Sequence, residues 1–173
     1  AAADLALGAM VGEGLKLIRA RPFNHTGAGQ SADFVVPAFA RQVARIAAGL
    51  QAPVMQVGAL DPLRDFLDVR DVCDAYVACL QRAAELPPGV VFNIGSGAPR
   101  RIGDILQRLL ELAGVQAEIT TGSALLRPSE IPVACGNAGR ARQLLGWTPK
   151  IPWDETLASV LEGYRQTERL PAL

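Results

Sequence analysis

"LKLIRARPFNHTGAGQ", residues 15–30, decides how the rest of the chain is read. Its first half sets apolar residues among basic ones and reads as a strand over 15–21. Pro22 closes that strand, because proline has no N–H to give to a ladder. Its second half reads as a loop running to about Asp33. The loop carries Asn24, the chain's only histidine, His25, and two glycines, Gly27 and Gly29. Such a loop has two readings. Asn24 caps a turn and His25 is a surface residue, or the loop holds a ligand. In open α/β sheets ligands sit beyond the carboxyl ends of the strands. Asn both donates and accepts hydrogen bonds, and glycine lets the backbone come close to a ligand.

Upstream, residues 1–11 are rich in Ala and Leu and predict a helix that Gly12 and Gly14 end. Downstream, "FVVPAFARQVARIAAG" has helical period, with Phe34, Val35, Ala38, Phe39 and Ile46 apolar; Pro37 fits only in its first turn. "PVMQVG" and "LRDFLDV" read as short strands. "RDVCDAYVACLQRAAE" reads as a helix with Asp68 or Asp71 as its N-cap. "GVVFNIGSG" is apolar, β-branched and bounded by glycines, which predicts a buried strand at 90–94 entering a glycine turn. "IGDILQRLLELAG" is an amphipathic helix, "AEITT" a brief strand, and "LLRPSEIPVACGNAG" irregular. A short helix capped by Asn137 and stopped by Gly146 follows. The last helix has Pro152 near its first turn and Asp154 and Glu155 favouring its dipole. Helices alternating with strands give an α/β class. Only the strands at 15–21 and 90–94 look central, so they suggest the last strands of a larger doubly wound parallel sheet.

The 173 residues fit one domain, with Lys plus Arg equal to Asp plus Glu at 17 each. That neutral balance gives no support for a nucleic-acid partner. No stretch reads as a membrane span or a secretory signal. Cys73, Cys79 and Cys135 lack metal-ligand spacing and read as buried thiols in a reducing compartment. No phosphate loop, nucleophile elbow or zinc pattern appears, and one histidine cannot form a triad. The candidate ligand residues are therefore scattered. Arg64 has the geometry to clamp a diphosphate, with a strand-end ion pair to Asp65 as the plainer reading. In "RPSE", Arg127 suits phosphate and Glu130 suits ribose hydroxyls; an exposed loop of mixed charge is the alternative. Arg100 and Arg101 read as a solvated pair, and Trp147 as a plug at a helix end.

Taken in order, "RPFNHTGAGQ", "RDFLDVRDVCDAY", "FNIGSG", "RPSE" and "LGWTP" resemble the extended short-chain dehydrogenase/reductase family (NAD-dependent epimerases and dehydratases). The likeness is greatest to the branch of GDP-6-deoxy-D-mannose reductases and GDP-mannose 4,6-dehydratases. It implies a Rossmann-like doubly wound parallel sheet, of which residues 1–173 would be the last strands plus a small, mostly helical substrate-binding domain. The cofactor-binding half and the family's Tyr-x-x-x-Lys would lie outside this chain: Tyr76 is followed at the fourth position by Leu80, and Tyr164 by Glu168. The resemblance further implies NAD or NADP beside Pro22, Asn24 and His25. It implies a GDP-sugar held by Asn24, Val35, Arg64, Arg127 and Glu130. It also implies a cytoplasmic homodimer, with the first helix in the dimer bundle. Ala28 stands where the family usually has Pro. UDP- or dTDP-sugar epimerases or dehydratases, and a non-catalytic nucleotide-sugar binding module, are the alternatives.

Overall fold

A computed structural model describes residues 2–122 and 131–169. The described elements, in order, are α1 (Ala2–Met10), β1 (Arg19–Pro22), β2 (Asn24–Thr26), α2 (Val35–Ala47), β3 (Val54–Val57), β4 (Leu63–Asp68), α3 (Val69–Gln81), β5 (Val91–Ile94), β6 (Pro99–Arg101), α4 (Ile102–Ala113), β7 (Glu118–Thr121), β8 (Val133–Ala134), α5 (Gly139–Leu145) and α6 (Trp153–Arg169). The α/β class therefore holds, and the described strands pair in parallel except β4 with β6.

β1 and β5 lie side by side, Arg19 opposite Val91 through Pro22 opposite Ile94. Strand structure starts at Arg19 rather than at Leu15. Ahead of Val91 the facing segment turns at Pro87–Val90, so Leu17 keeps only a single bond, its carbonyl accepting from the Gly89 N–H at 2.7 Å, and the ladder begins at Arg19. β4, expected as a minor strand, is instead the hub of a second sheet. Its first residues pair with β6 and β8, and its last three pair with β2.

Successive side chains on a strand point to opposite faces, and in β4 that alternation separates two cores. Phe66 joins the core formed by α2, α4, α6 and β3. Leu67 joins the one formed by α3, α5 and β5. Both faces of β4 are covered, so its last four residues are buried. Leu106 and Leu109 of α4 and Leu157 of α6 are fully enclosed; burying each such side chain stabilises the fold by about 1.5–3 kcal/mol.

In α2 the buried stripe is Val36, Phe39, Ala40, Val43 and Ala44, a 3.6-residue period, while Phe34 and Val35 stay exposed at its start. Asp68 caps α3 by accepting from the Arg70 N–H. Asp71, the other candidate cap, instead accepts from the N–H groups of Lys150 and Ile151 and so ties α3 to the start of α6. Trp147 is buried and donates through Nε1 to the Asp71 carbonyl, a plug as expected. Cys79 is buried, but Cys73 and Cys135 are exposed. Six residues turn a helix through about 600°, so Cys73 and Cys79 cannot share its inner face. Among the described residues no helix is long and apolar enough to cross a membrane.

Candidate functional site

The stretch read as one loop after β1 contains β2, because residues from far along the chain offer it a ladder. The Phe23 N–H donates to the Ile94 carbonyl at 2.8 Å and is the last link to the β1–β5 sheet. One residue later Asn24 pairs with Phe66, followed by His25 with Leu67 and Thr26 with Asp68. Phe23 is thus the crossing between the two sheets. Its ring packs so closely on Gly136 that a Cβ there would meet it at 2.8 Å. Pro22, Asn24 and His25 flank this crossing at the carboxyl end of β1.

Asn24 is exposed, and its side-chain amide has no partner among the described residues. His25 Nδ1 lies 3.0 Å from the Phe23 carbonyl. A carbonyl only accepts, so Nδ1 carries the proton and Nε2 of the neutral ring is left as an acceptor. Arg64 lies on β4 two residues before Phe66, the partner of Asn24. Two residues of strand span about 7 Å, so Asn24 and Arg64 are near neighbours on adjoining strands. Arg64 donates to the carbonyls of Leu63 at 2.8 Å and Pro132 at 3.4 Å. Val35 opens α2 with its side chain partly in solvent. Arg127 and Glu130 lie outside the described residues.

Asp65 was not singled out by sequence except as a possible partner of Arg64. Alternation along β4 sends its carboxylate to the other face. There it is fully buried and accepts from the Ser96 N–H and hydroxyl, the Gly97 N–H and the Gly136 N–H. One carboxylate thereby fastens the "GSG" turn and the segment after β8 to β4. The glycines follow from this crowding: a Cβ on Gly95 would lie 2.9 Å from Asp65 Oδ2 and 3.0 Å from the Gly136 backbone. Only the "GSG" pattern hinted at it.

The loop after β2 is clamped from two sides. A Cβ on Gly27 would sit 2.6 Å from Val69 at the start of α3. On the other side Ala28 approaches Gly163 of α6. The Tyr164 hydroxyl donates to the Gln30 carbonyl at 2.7 Å, and Gln30 Nε2 reaches back to the His25 carbonyl at 3.2 Å. Burial pushes the Tyr164 phenol above its ordinary value, so it remains a donor at neutral pH. Tyr164 and Gln30 carry no local signal that would have marked them.

A cleft of about 140 Å³ lies between β4, the β5–β6 turn and the start of α6; Asn24, His25 and Arg64 do not line it, but their ladder partners Phe66, Leu67 and Arg100 do. Arg100, expected in solvent beside Arg101, is half-buried there. It stacks over Trp153 at 4.7 Å from the ring centre and donates to the carbonyls of Phe66 and Ala98. Burial lowers its pKa, and the charge of Asp65 opposes that. Arg101 is exposed, as expected, and pairs with Asp61. The carboxylates lining the cleft, Asp68 and Asp71, already have donors, so the crossing at Phe23 is the better candidate site. No group of three described His, Cys, Asp or Glu residues is placed to hold a metal.

Parallel strands flanked by helices, with polar residues gathered at a strand's carboxyl end, define a Rossmann-like class. The chain belongs to the family described as GDP-mannose 4,6 dehydratase, whose model matches residues 7–160, within the NAD-dependent epimerases and dehydratases. It is 37% identical over 169 residues to the GDP-6-deoxy-D-mannose reductase of Pseudomonas aeruginosa, covering 98% of this chain and 55% of that protein. A solved structure of RMD from Pseudomonas aeruginosa complexed with NADPH superposes with a TM-score of 0.88 at 35% identity, covering 96% of this chain and 54% of the other. A UDP-glucose 4-epimerase with UDP-glucose from Thermotoga maritima gives 0.80 at 26% identity, covering 96% and 52%. The chain thus spans about half the length of the relatives it matches.

Proposed function

We propose that this chain is the C-terminal, substrate-binding portion of an NAD(P)-dependent enzyme that reduces a GDP-4-keto-6-deoxy sugar. The observation that carries the reading is the 37% identity, along 98% of the chain, to a GDP-6-deoxy-D-mannose reductase. The residues at the crossing fit a polar cofactor and substrate: Asn24 offers an unpartnered amide, and His25 an acceptor nitrogen. In this reading NAD or NADP borders Pro22, Asn24 and His25 and, when bound, supplies the hydride. Asn24 also meets the sugar nucleotide. Arg64 and Arg127 neutralise its diphosphate, Glu130 accepts from the ribose hydroxyls, and Val35 contacts the nucleotide. Proton donation belongs to a Tyr-x-x-x-Lys that this chain does not contain, so its own residues bind and orient. The exposed apolar side chains Leu5, Leu7 and Met10 of α1, a helix with no buried residue, support a homodimer. A cytoplasmic location is part of the same proposal. A GDP-mannose 4,6-dehydratase is the second reading, favoured by the family model.

The test is a thermal melt of the full-length protein with GDP, UDP or dTDP, each with and without NADPH. A ligand at a hundred times its Kd stabilises by about 2.7 kcal/mol. The expected result is a shift with GDP and with NADPH only. Arg64→Ala should weaken GDP about 10- to 100-fold, the worth of a charge-assisted hydrogen bond. Equal shifts with UDP or dTDP, or an Arg64→Ala protein that binds GDP as the parent does, overturn the assignment.

A further inference from the structure

We infer that Tyr164, at the far end of α6, is a positioning residue for the segment that carries Asn24 and His25; this rests on the proposed site. Three observations converge on it. The Tyr164 hydroxyl reaches across 134 residues of sequence to the Gln30 carbonyl at 2.7 Å. Gln30 then passes that restraint on, since its side-chain amide donates to the His25 carbonyl. Gly163, beside Tyr164, has its Cα face open to Ala28: a Cβ there would lie 3.5 Å from the Ala28 Cβ. The loop therefore rests directly on α6.

The loop needs such a restraint. Gly27 and Gly29 are the most permissive backbone residues, and Gly29 has a positive φ of 84°. Ala28 between them has none of proline's fixed φ. A loop of this composition loses more entropy on being fixed than one stiffened from within. The hydrogen bond from a helix packed into the core offsets that loss. α6 is itself anchored on both sides of Tyr164: Trp153 packs on Phe66, and Glu168 pairs with Arg41 and Arg45 of α2. The β2–β4 ladder sets the register of Asn24 and His25 on β4, and α6, through Gln30, fixes the far end of the loop against which the His25 carbonyl is held.

Tyr164→Phe keeps the ring and removes only the hydroxyl. In the full-length protein it should weaken NADPH, measured by fluorescence titration, about three- to tenfold, the net worth of one hydrogen bond. GDP affinity, carried mainly by arginines, should change less than twofold. Amide exchange at residues 25–30 should accelerate while exchange in α4 stays as in the parent. Equal loss of both ligands together with faster exchange in α4 would mean a merely structural role and overturns the inference. So does a Tyr164→Phe protein that binds NADPH as the parent does while Asn24→Ala is impaired. If Asn24→Ala and His25→Ala bind both ligands unchanged, the site reading itself fails, and the positioning role with it.

Discussion

Replacing Asp65 by Asn tests whether one buried carboxylate holds three segments together. The side chains are nearly the same shape, so the change is one of hydrogen-bond polarity. Oδ1 accepts from the Ser96 N–H at 2.9 Å and from its hydroxyl. Oδ2 accepts from the Gly97 N–H at 3.0 Å and the Gly136 N–H at 2.9 Å. An amide nitrogen at the Oδ2 position would orphan two backbone donors. At the Oδ1 position it would orphan only the Ser96 N–H, because the serine hydroxyl can rotate to accept. The second arrangement is the cheaper. It costs one buried N–H, about 1–3 kcal/mol, and the charge assistance of the bonds that remain. The expected loss is about 3 kcal/mol, or a melting point lower by about 6–12 °C at 2–4 °C per kcal/mol. Ser96→Ala removes a hydroxyl, leaves all three N–H donors on Asp65 and frees only the exposed Ala98 N–H, which water can satisfy, so it should lose only about 1 kcal/mol. Urea unfolding of the full-length protein, followed by circular dichroism, measures both. An Asp65→Asn protein within 1 kcal/mol of the parent would refute the hub.

Gly27→Ala should destabilise by about 1–3 kcal/mol, since its methyl would meet Val69 at 2.6 Å; Val69→Ala should recover most of that, read as coupling in a double-mutant cycle by urea melts. The Asp68 carboxyl gives a pH dependence. Burial pushes its pKa up, but the side-chain and backbone hydrogen bonds from Arg70, with a bond from Thr156, outweigh it, and the net shift is down. A depressed carboxyl contributes its full stability above the unfolded value of about 4 and loses it as pH falls through the folded value. The stability gap between the parent and Asp68→Asn should therefore be widest at neutral pH and shrink below about pH 4, followed by urea midpoints from pH 7 to 2.

The alternation of strands and helices, a cap at Asp68 or Asp71, the αL stop at Gly146 and the buried Trp147 were all legible in the sequence. Each depends on residues within a few positions of itself, and local period and turn chemistry report such features directly. The sequence also marked Asn24, His25 and Arg64, which the fold brings onto adjoining strands, and Arg127 and Glu130, which fall outside the described residues. Only the tertiary structure decided the rest. β2 exists because Phe66–Asp68 offer its backbone a ladder, so a stretch that reads as loop becomes strand. Cys73 faces solvent and Arg100 leaves it because of how α3 and β6 are turned toward their neighbours. Asp65 became a hub, and Tyr164 a support for the loop, because packing placed donors and acceptors together from distant parts of the chain. A sequence pattern states which face of an element is apolar; what meets that face, and which polar groups are trapped beside it, is fixed only when the elements pack.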